Sequence, residues 1–366
     1  MNKFVYDLPC FNSGGETKHM RISYALLLLL VLSGSVYGFT FSVVMTLPHS
    51  PIIPKDNPQT PAKIELGKQL FFDPRLSVDK SLSCNSCHNL AAGGDDDGMA
   101  KHLEQRTIRR SAPSLYNVAF QSVNFWDARA HSLEQAITEH LLDKNIMALQ
   151  SENKLIQRLQ SIKGYEVYYQ AAFKHAKMNV QTTSKALASF IRTLVTPNSQ
   201  FDQYLNGDKQ AISANAKRGY KIFNDYGCMS CHFGVYFAGP APGPAYQMGD
   251  GFYELFPNYL GSDYDKKYDL TSDDGRVQVT GDAADRYLWR VPGLRNITMT
   301  APYFHNGSVN DLNEAIRIMG KVQLGLNLND NDVRDIRAFL ESLTGEYPEI
   351  KLPRLPDTHG LSLQVK

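Results

Sequence analysis

The sequence predicts a mainly α-helical protein built from two similar halves, and two observations carry that expectation. The segments Cys84-Asn-Ser-Cys87-His88 and Cys228-Met-Ser-Cys231-His232 repeat one motif 144 residues apart and hold four of the five cysteines. Around each motif the same order recurs: a helix start, the motif, an irregular stretch and a closing helix.

The motif has a chemical reason. Two thiols three residues apart can each form a thioether to a haem vinyl group, and the following imidazole is then held under the ring as an axial iron ligand. A four-cysteine zinc site would need neither histidine, and a thioredoxin-like pair would need a βαβ context absent around either motif. Two covalently bound c-type haems are therefore expected, attached at Cys84, Cys87 and His88 and at Cys228, Cys231 and His232.

The repeat extends outward from the motifs. Gly67-Lys-Gln-Leu-Phe71 leads toward Cys84, and Gly219-Tyr-Lys-Ile-Phe223 leads toward Cys228. Downstream, apolar residues recur at helical spacing in Ala186–Leu194 and again in Val333–Leu343, with Pro197 and Gly345 as the stop signals. This is the plan of a class I cytochrome c domain, used twice. The boundaries read as residues 1–50 for an N-terminal extension, 51–205 for the first haem domain, and 206–366 for the second with its tail. Between Gly234 and Arg286 the composition shifts to Gly, Pro, Tyr and Asp. That stretch reads as an ordered loop over the second haem or as a flexible insertion.

Location is read from the N-terminal extension. Lys18 and Arg21 precede an uncharged run of 27 residues, Ile22–Pro48, whose densest apolar part is Ala25–Leu32. A positive flank, a short apolar core and small residues resemble an export signal. The full run also exceeds the roughly 20 residues a membrane anchor needs. Translation from Met20 is compatible with either reading, and both export the remainder to the periplasm. Cys10 lies upstream, so no structural disulfide is expected. With 38 basic and 37 acidic residues the chain is near neutral, and it has no basic tract for nucleic acid.

From about Lys63 to Pro356 the chain resembles the bacterial dihaem cytochrome c peroxidases and their MauG-type relatives. The resemblance rests on Leu70-Phe-Phe-Asp-Pro-Arg-Leu76, Ser83–Leu90 with Gly93-Gly94, Phe125-Trp-Asp-Ala-Arg-Ala130, Val291-Pro-Gly-Leu-Arg-Asn296, Thr300-Ala-Pro-Tyr-Phe-His305 and Ile316-Arg-Ile-Met-Gly320. It implies reduction of hydrogen peroxide to water at a low-potential first haem. Electrons would come from a small c-type cytochrome or a cupredoxin through a high-potential second haem, and the protein would be a homodimer.

The same resemblance implies site residues. Met319, 14 residues after His305, takes the place of the second haem's sixth ligand, with Met248 and Met299 as competitors outside the family context. Met in place of Tyr there points toward the peroxidases rather than MauG itself. His102, 14 residues after His88, takes the place of the loop histidine that occupies the first iron and leaves on activation. Trp126 corresponds to the tryptophan between the haems. The backbone carbonyls of Thr300 and Pro302 correspond to calcium ligands, although the family's Asn ligand aligns with Ser111.

One departure stands out. The family carries a glutamate before a methionine that moves a proton between the peroxide oxygens, and here Leu142–Met147 puts Ile146 at that position. Gln135 reads as a retained catalytic neighbour, and Glu139, His140 or Asp143 are the candidates to replace the carboxylate. Two other functions follow if none does: an electron-transfer cytochrome with weak peroxidase activity, or MauG-like oxidation of a partner protein.

Overall fold

Each closing helix crosses the helix that precedes its haem motif with backbone against backbone, and a glycine makes that approach feasible. The structure, a computed structural model, describes residues 45–96, 109–240 and 252–358, all within the unit Val43–Lys366. Helices α1 (Pro61–Phe72) and α6 (Val180–Ile191) cross at Gly67, where a Cβ would lie 2.0 Å from the Ala186 carbonyl oxygen. Helices α8 (Ala214–Asp225) and α12 (Asp330–Glu341) cross at Gly219, where the corresponding distance to the Asp335 carbonyl oxygen is 1.8 Å. An aromatic pair seals each crossing: Phe71 on Phe190 and Phe223 on Phe339, both at 5.3 Å between ring centres. Two cores form on this plan, one around Leu66, Leu70, Leu155 and Leu187, the other around Phe201, Ile318, Ile336 and Phe339.

The helix ends follow local chemistry. Thr60 caps α1 with Pro61 in the first turn, Ser213 caps α8, and Asn179 and Asn329 cap the two closing helices. Pro197 and Gly345 lie beyond the ends of α6 and α12, so neither acts as the immediate stop. They meet each other instead: a Cβ on Gly345 would lie 1.9 Å from the Thr196 carbonyl oxygen, and the Glu346 amide donates to the Pro197 carbonyl at 2.8 Å. Asn117 and Asn296, both with left-handed backbone, each donate at 2.8 Å to the one Thr196 hydroxyl. A repeat element of each half is thereby tied to the same residue.

The remaining helices are α2 (Cys84–Cys87), α3 (Leu133–Leu142), α4 (Glu152–Ser161), α5 (Tyr165–Phe173), α7 (Gln200–Leu205), α9 (Asp263–Lys267), α10 (Val277–Thr280) and α11 (Leu312–Leu324). Among the described residues the sheet is limited to two antiparallel strands, β1 (Tyr253–Leu255) and β2 (Leu288–Arg290), with Glu254 opposite Trp289. The described part of the Gly234–Arg286 stretch is thus ordered, and Phe256 from it packs on Phe304 at 5.2 Å. Met1–Val44, with Cys10 and most of the uncharged run, lies outside the described residues, as do His102 and Met248. Among the described residues no helix is long and apolar enough to cross a membrane.

The crossing predicts its own sensitivity. Alanine is worth about 1 kcal/mol over glycine in a helix interior. A methyl group driven into a carbonyl 1.8 Å away must instead force two helices apart, which costs about 3 kcal/mol. Gly219→Ala should therefore lower the stability of the haem-loaded protein by about 2 kcal/mol net. Denaturant unfolding measures this, and an unchanged midpoint would refute the backbone-contact account.

Candidate functional site

Two cavities flank the crossings, and each has a Cys-x-x-Cys-His motif in its wall. Helix α2 presents Cys84 and Cys87 to the first, with His88 following as its C-cap. The second motif forms a 3₁₀ turn, Cys228–Ser230, entered through Gly227 at φ +91°. The motif imidazoles are buried and their rings are fixed in the same way. His88 Nδ1 donates to the Pro113 carbonyl at 3.1 Å, and His232 Nδ1 donates to the Phe237 carbonyl at 3.0 Å. Each bond sets the tautomer that leaves Nε2 with its lone pair for a metal. Burial pushes the His88 imidazole down to about 4, with His140 nearby adding to the effect, and burial lowers His232 as well. Both rings are therefore neutral ligands near pH 7.

Burial pushes the Cys84 thiol up to about 12 and Cys228 up to about 11. Thiols held neutral in apolar walls suit consumption by thioether bonds rather than service as zinc thiolates. Among the described residues no group of three or more His, Cys, Asp or Glu could hold a metal ion by itself. These cysteines form no disulfide.

The first cavity is closed by α3 and the segment after it. Leu133, Ala136, Ile137, His140 and Leu141 face inward at helical spacing, followed by Ile146 and Met147. Ile146 thus lies in the cavity wall where a carboxylate is expected. Of the three candidates to replace that carboxylate, only His140 lines the cavity. Glu139 is held outside by Arg129 at 2.9 Å, and Asp143 caps α3. Gln135 requires a correction: one residue short of the inward stripe, it is exposed, accepting from the His131 amide at 3.0 Å and donating to Glu139 at 3.1 Å. It does not line the cavity, so no catalytic contact follows from its position.

The second cavity is covered by α11 and α12, with Leu312, Ile316, Met319 and Leu340 in its wall together with His232. Met319 therefore shares the cavity with the histidine of the second motif, whereas Met299 is half exposed to solvent and does not line it. His305 is stacked on Trp289 at 4.1 Å between ring centres. Thr300 and Pro302 also border this cavity.

Trp126 belongs to the walls of both cavities. Its indole N–H donates to the Ser111 carbonyl at 2.8 Å, and its own carbonyl accepts from the Arg290 amide at 2.8 Å. The Arg290 guanidinium lies 5.5 Å from the indole ring centre, lines both cavities and donates to the Phe125 carbonyl and the Gln121 side chain. Burial pushes it down to about 10, opposed by the charges of Tyr236 and Asp127. Sequence reasoning missed Arg290. Its only signal was its place one residue before the Val291–Asn296 block.

These residues fit haem c. Each cavity has apolar walls, two thiols, one oriented imidazole nitrogen and access to the buried Arg290 cation, which the propionates of a haem would compensate. Two such sites sharing an aromatic wall define a dihaem c-type cytochrome.

The family model described as di-haem cytochrome c peroxidase matches residues 61–210. The cytochrome c551 peroxidase of Pseudomonas aeruginosa is 41% identical over 297 residues, covering 80% of this chain and 81% of that protein. The methylamine utilization protein MauG of Methylorubrum extorquens is 32% identical over 325 residues, covering 85% of each. The crystal structure of a MauG-like protein associated with microbial copper homeostasis superposes with a TM-score of 0.70 at 26% identity, covering 82% of this chain and 94% of that one. The chain belongs to the di-haem cytochrome c peroxidase and MauG family, whose members are haem c oxidoreductases.

Cys84→Ser with Cys87→Ser should halve the covalently bound haem, from two per chain to one, as read by pyridine haemochrome absorbance and intact mass. Retention of both haems would refute the attachment assignment.

Proposed function

We propose that this protein is a peroxidase of the periplasm that reduces hydrogen peroxide to two waters, in a peroxidatic site in the first half, with electrons from a small c-type cytochrome or a cupredoxin. The carrying observation is that two cavities, each walled by a haem-attachment motif, share the Trp126 wall. Haem c, when bound, supplies the iron that accepts electrons singly and delivers two of them to peroxide. The chain's residues do the rest. His88 and His232 would each hold an iron through Nε2. Met319 is the second ligand in the C-terminal half, and a thioether there raises the potential, making that half the electron-accepting one. Trp126, fixed through its indole N–H and its carbonyl, provides the aromatic path between the halves.

The tandem class I cytochrome c plan, residues 51–205 and 206–366, belongs to this proposal. It is supported by the two glycine crossings and the two aromatic seals. One calcium ion on the Thr300 and Pro302 carbonyls belongs to it too, as does assembly into a homodimer. Ser111 supports the calcium site, since it lies beside Gly307 and Pro302 and donates to the buried Asp96 carboxylate at 3.1 Å.

A second reading is favoured by Ile146. An isoleucine in the first cavity wall cannot move a proton, and losing general acid–base help costs on the order of 100-fold to 10,000-fold. Electron transfer with weak peroxidase activity, or oxidation of a partner protein, would tolerate that loss.

Peroxide consumption by half-reduced protein, followed against Ile146→Glu, separates these readings. An efficient peroxidase turns over within about a hundredth of the Glu variant's rate or faster; slower turnover supports the second reading. Met319→Ala should lower the potential of the second haem in a redox titration, and an unchanged potential would show that Met319 is not its ligand.

A further inference from the structure

We propose that His140, carried by helix α3, is the second axial ligand of the first haem's iron, on the face opposite His88. The inference rests on the dihaem reading and replaces His102 in that role.

The geometry is specific. The ring centres of His88 and His140 are 6.2 Å apart, across the cavity that also contains Cys84 and Cys87. A metal–imidazole bond is about 2 Å long and the ring centre lies about 1 Å behind its nitrogen, so two imidazoles on one iron have centres about 6 Å apart. A histidine acting on iron-bound peroxide as acid or base would stand farther off. Its hydrogen bond of about 2.9 Å to the peroxide would add to the iron–oxygen bond, giving roughly 8 Å. The observed spacing matches two imidazoles sharing one iron and is shorter than a peroxide between them would need. An interplanar angle of 57° is compatible, because two axial rings each stand on the haem plane and are free to differ in rotation about the iron axis.

The ring is oriented as well as placed. His140 Nδ1 donates to the Ala136 carbonyl at 2.8 Å, one turn back in α3, which leaves Nε2 for the metal, as at His88. Phe125 stacks on His140 at 4.8 Å and 11°, and the Arg129 guanidinium covers the other face of that stack, 3.4 Å from the Phe125 ring centre. Arg129 is in turn ion-paired with Asp127 at 2.7 Å and Glu139 at 2.9 Å. The histidine is therefore clamped on a helix. As a ligand His140 would compete with peroxide for the first iron, and the α3–Phe125–Arg129 stack would hold it in place.

The test uses the diferric holoprotein, with haem content fixed first by pyridine haemochrome absorbance and spin state then read by EPR and visible spectra. His140→Ala should convert one of the two haems from low spin to high spin, and added imidazole should restore it; His102→Ala should leave both low spin. Two low-spin haems in His140→Ala, or a high-spin haem in His102→Ala, would overturn the proposal. If the alanine variant does not fold, His140→Met keeps a ligand and should raise the first haem's potential; an unchanged potential would equally overturn it. Fewer than two haems in the unsubstituted protein would refute the dihaem reading itself, and the proposal with it.

Discussion

Two hydrogen bonds of about 3 Å, His88 Nδ1 to the Pro113 carbonyl and His232 Nδ1 to the Phe237 carbonyl, fix the direction in which each motif imidazole presents its Nε2. The motif itself supplies the thiols and the imidazole, but an imidazole on a single turn can rotate. Tying its far nitrogen to a loop on the cavity wall gives Nε2 one direction, and that direction is the axis along which everything else in the half must be arranged. The helix crossings at Gly67 and Gly219 then act as the scaffold on which the motif and the opposite wall keep their separation.

The two halves share this scaffold and differ in what the opposite wall presents. In the second half α11 brings Met319 to the cavity. In the first, α3 brings His140 with Phe125 and Arg129 stacked beyond it. Sulfur favours ferrous iron and a second nitrogen favours ferric, so under the proposed ligands the wall helices would separate a high-potential electron port from a low-potential reaction site. Ile146 adds an apolar surface where proton transfer would be expected, which leaves the acid–base work of the first site to other groups.

Communication between the sites depends on a rigid join. Thr196 receives hydrogen bonds from Asn117 and Asn296, one from each half, and the backbone at Pro197 meets Glu346. Arg110 pairs with Asp127 in its own half and with Asp273 across the halves, while Arg290 bonds the Trp126 backbone. A tryptophan held by its indole N–H and its backbone carbonyl has little freedom to move within the wall the two cavities share.

The sequence alone determined the two Cys-x-x-Cys-His motifs, the repeat of glycine and phenylalanine before each motif, and the closing helices, because all of these are local: spacing within a turn, or a period along one helix. His140 entered the sequence reading as one candidate beside Glu139 and Asp143, and nothing in its local pattern marked it out. Gln135 looked equally eligible. Only the tertiary structure decided between them, since it shows which helix face meets the His88 cavity. The same holds for Arg290 and for Pro197 with Gly345, whose partners lie far away in the chain. A local pattern can specify what is attached; which group faces it across a cavity depends on how separate helices pack, and that distance is written in no single segment.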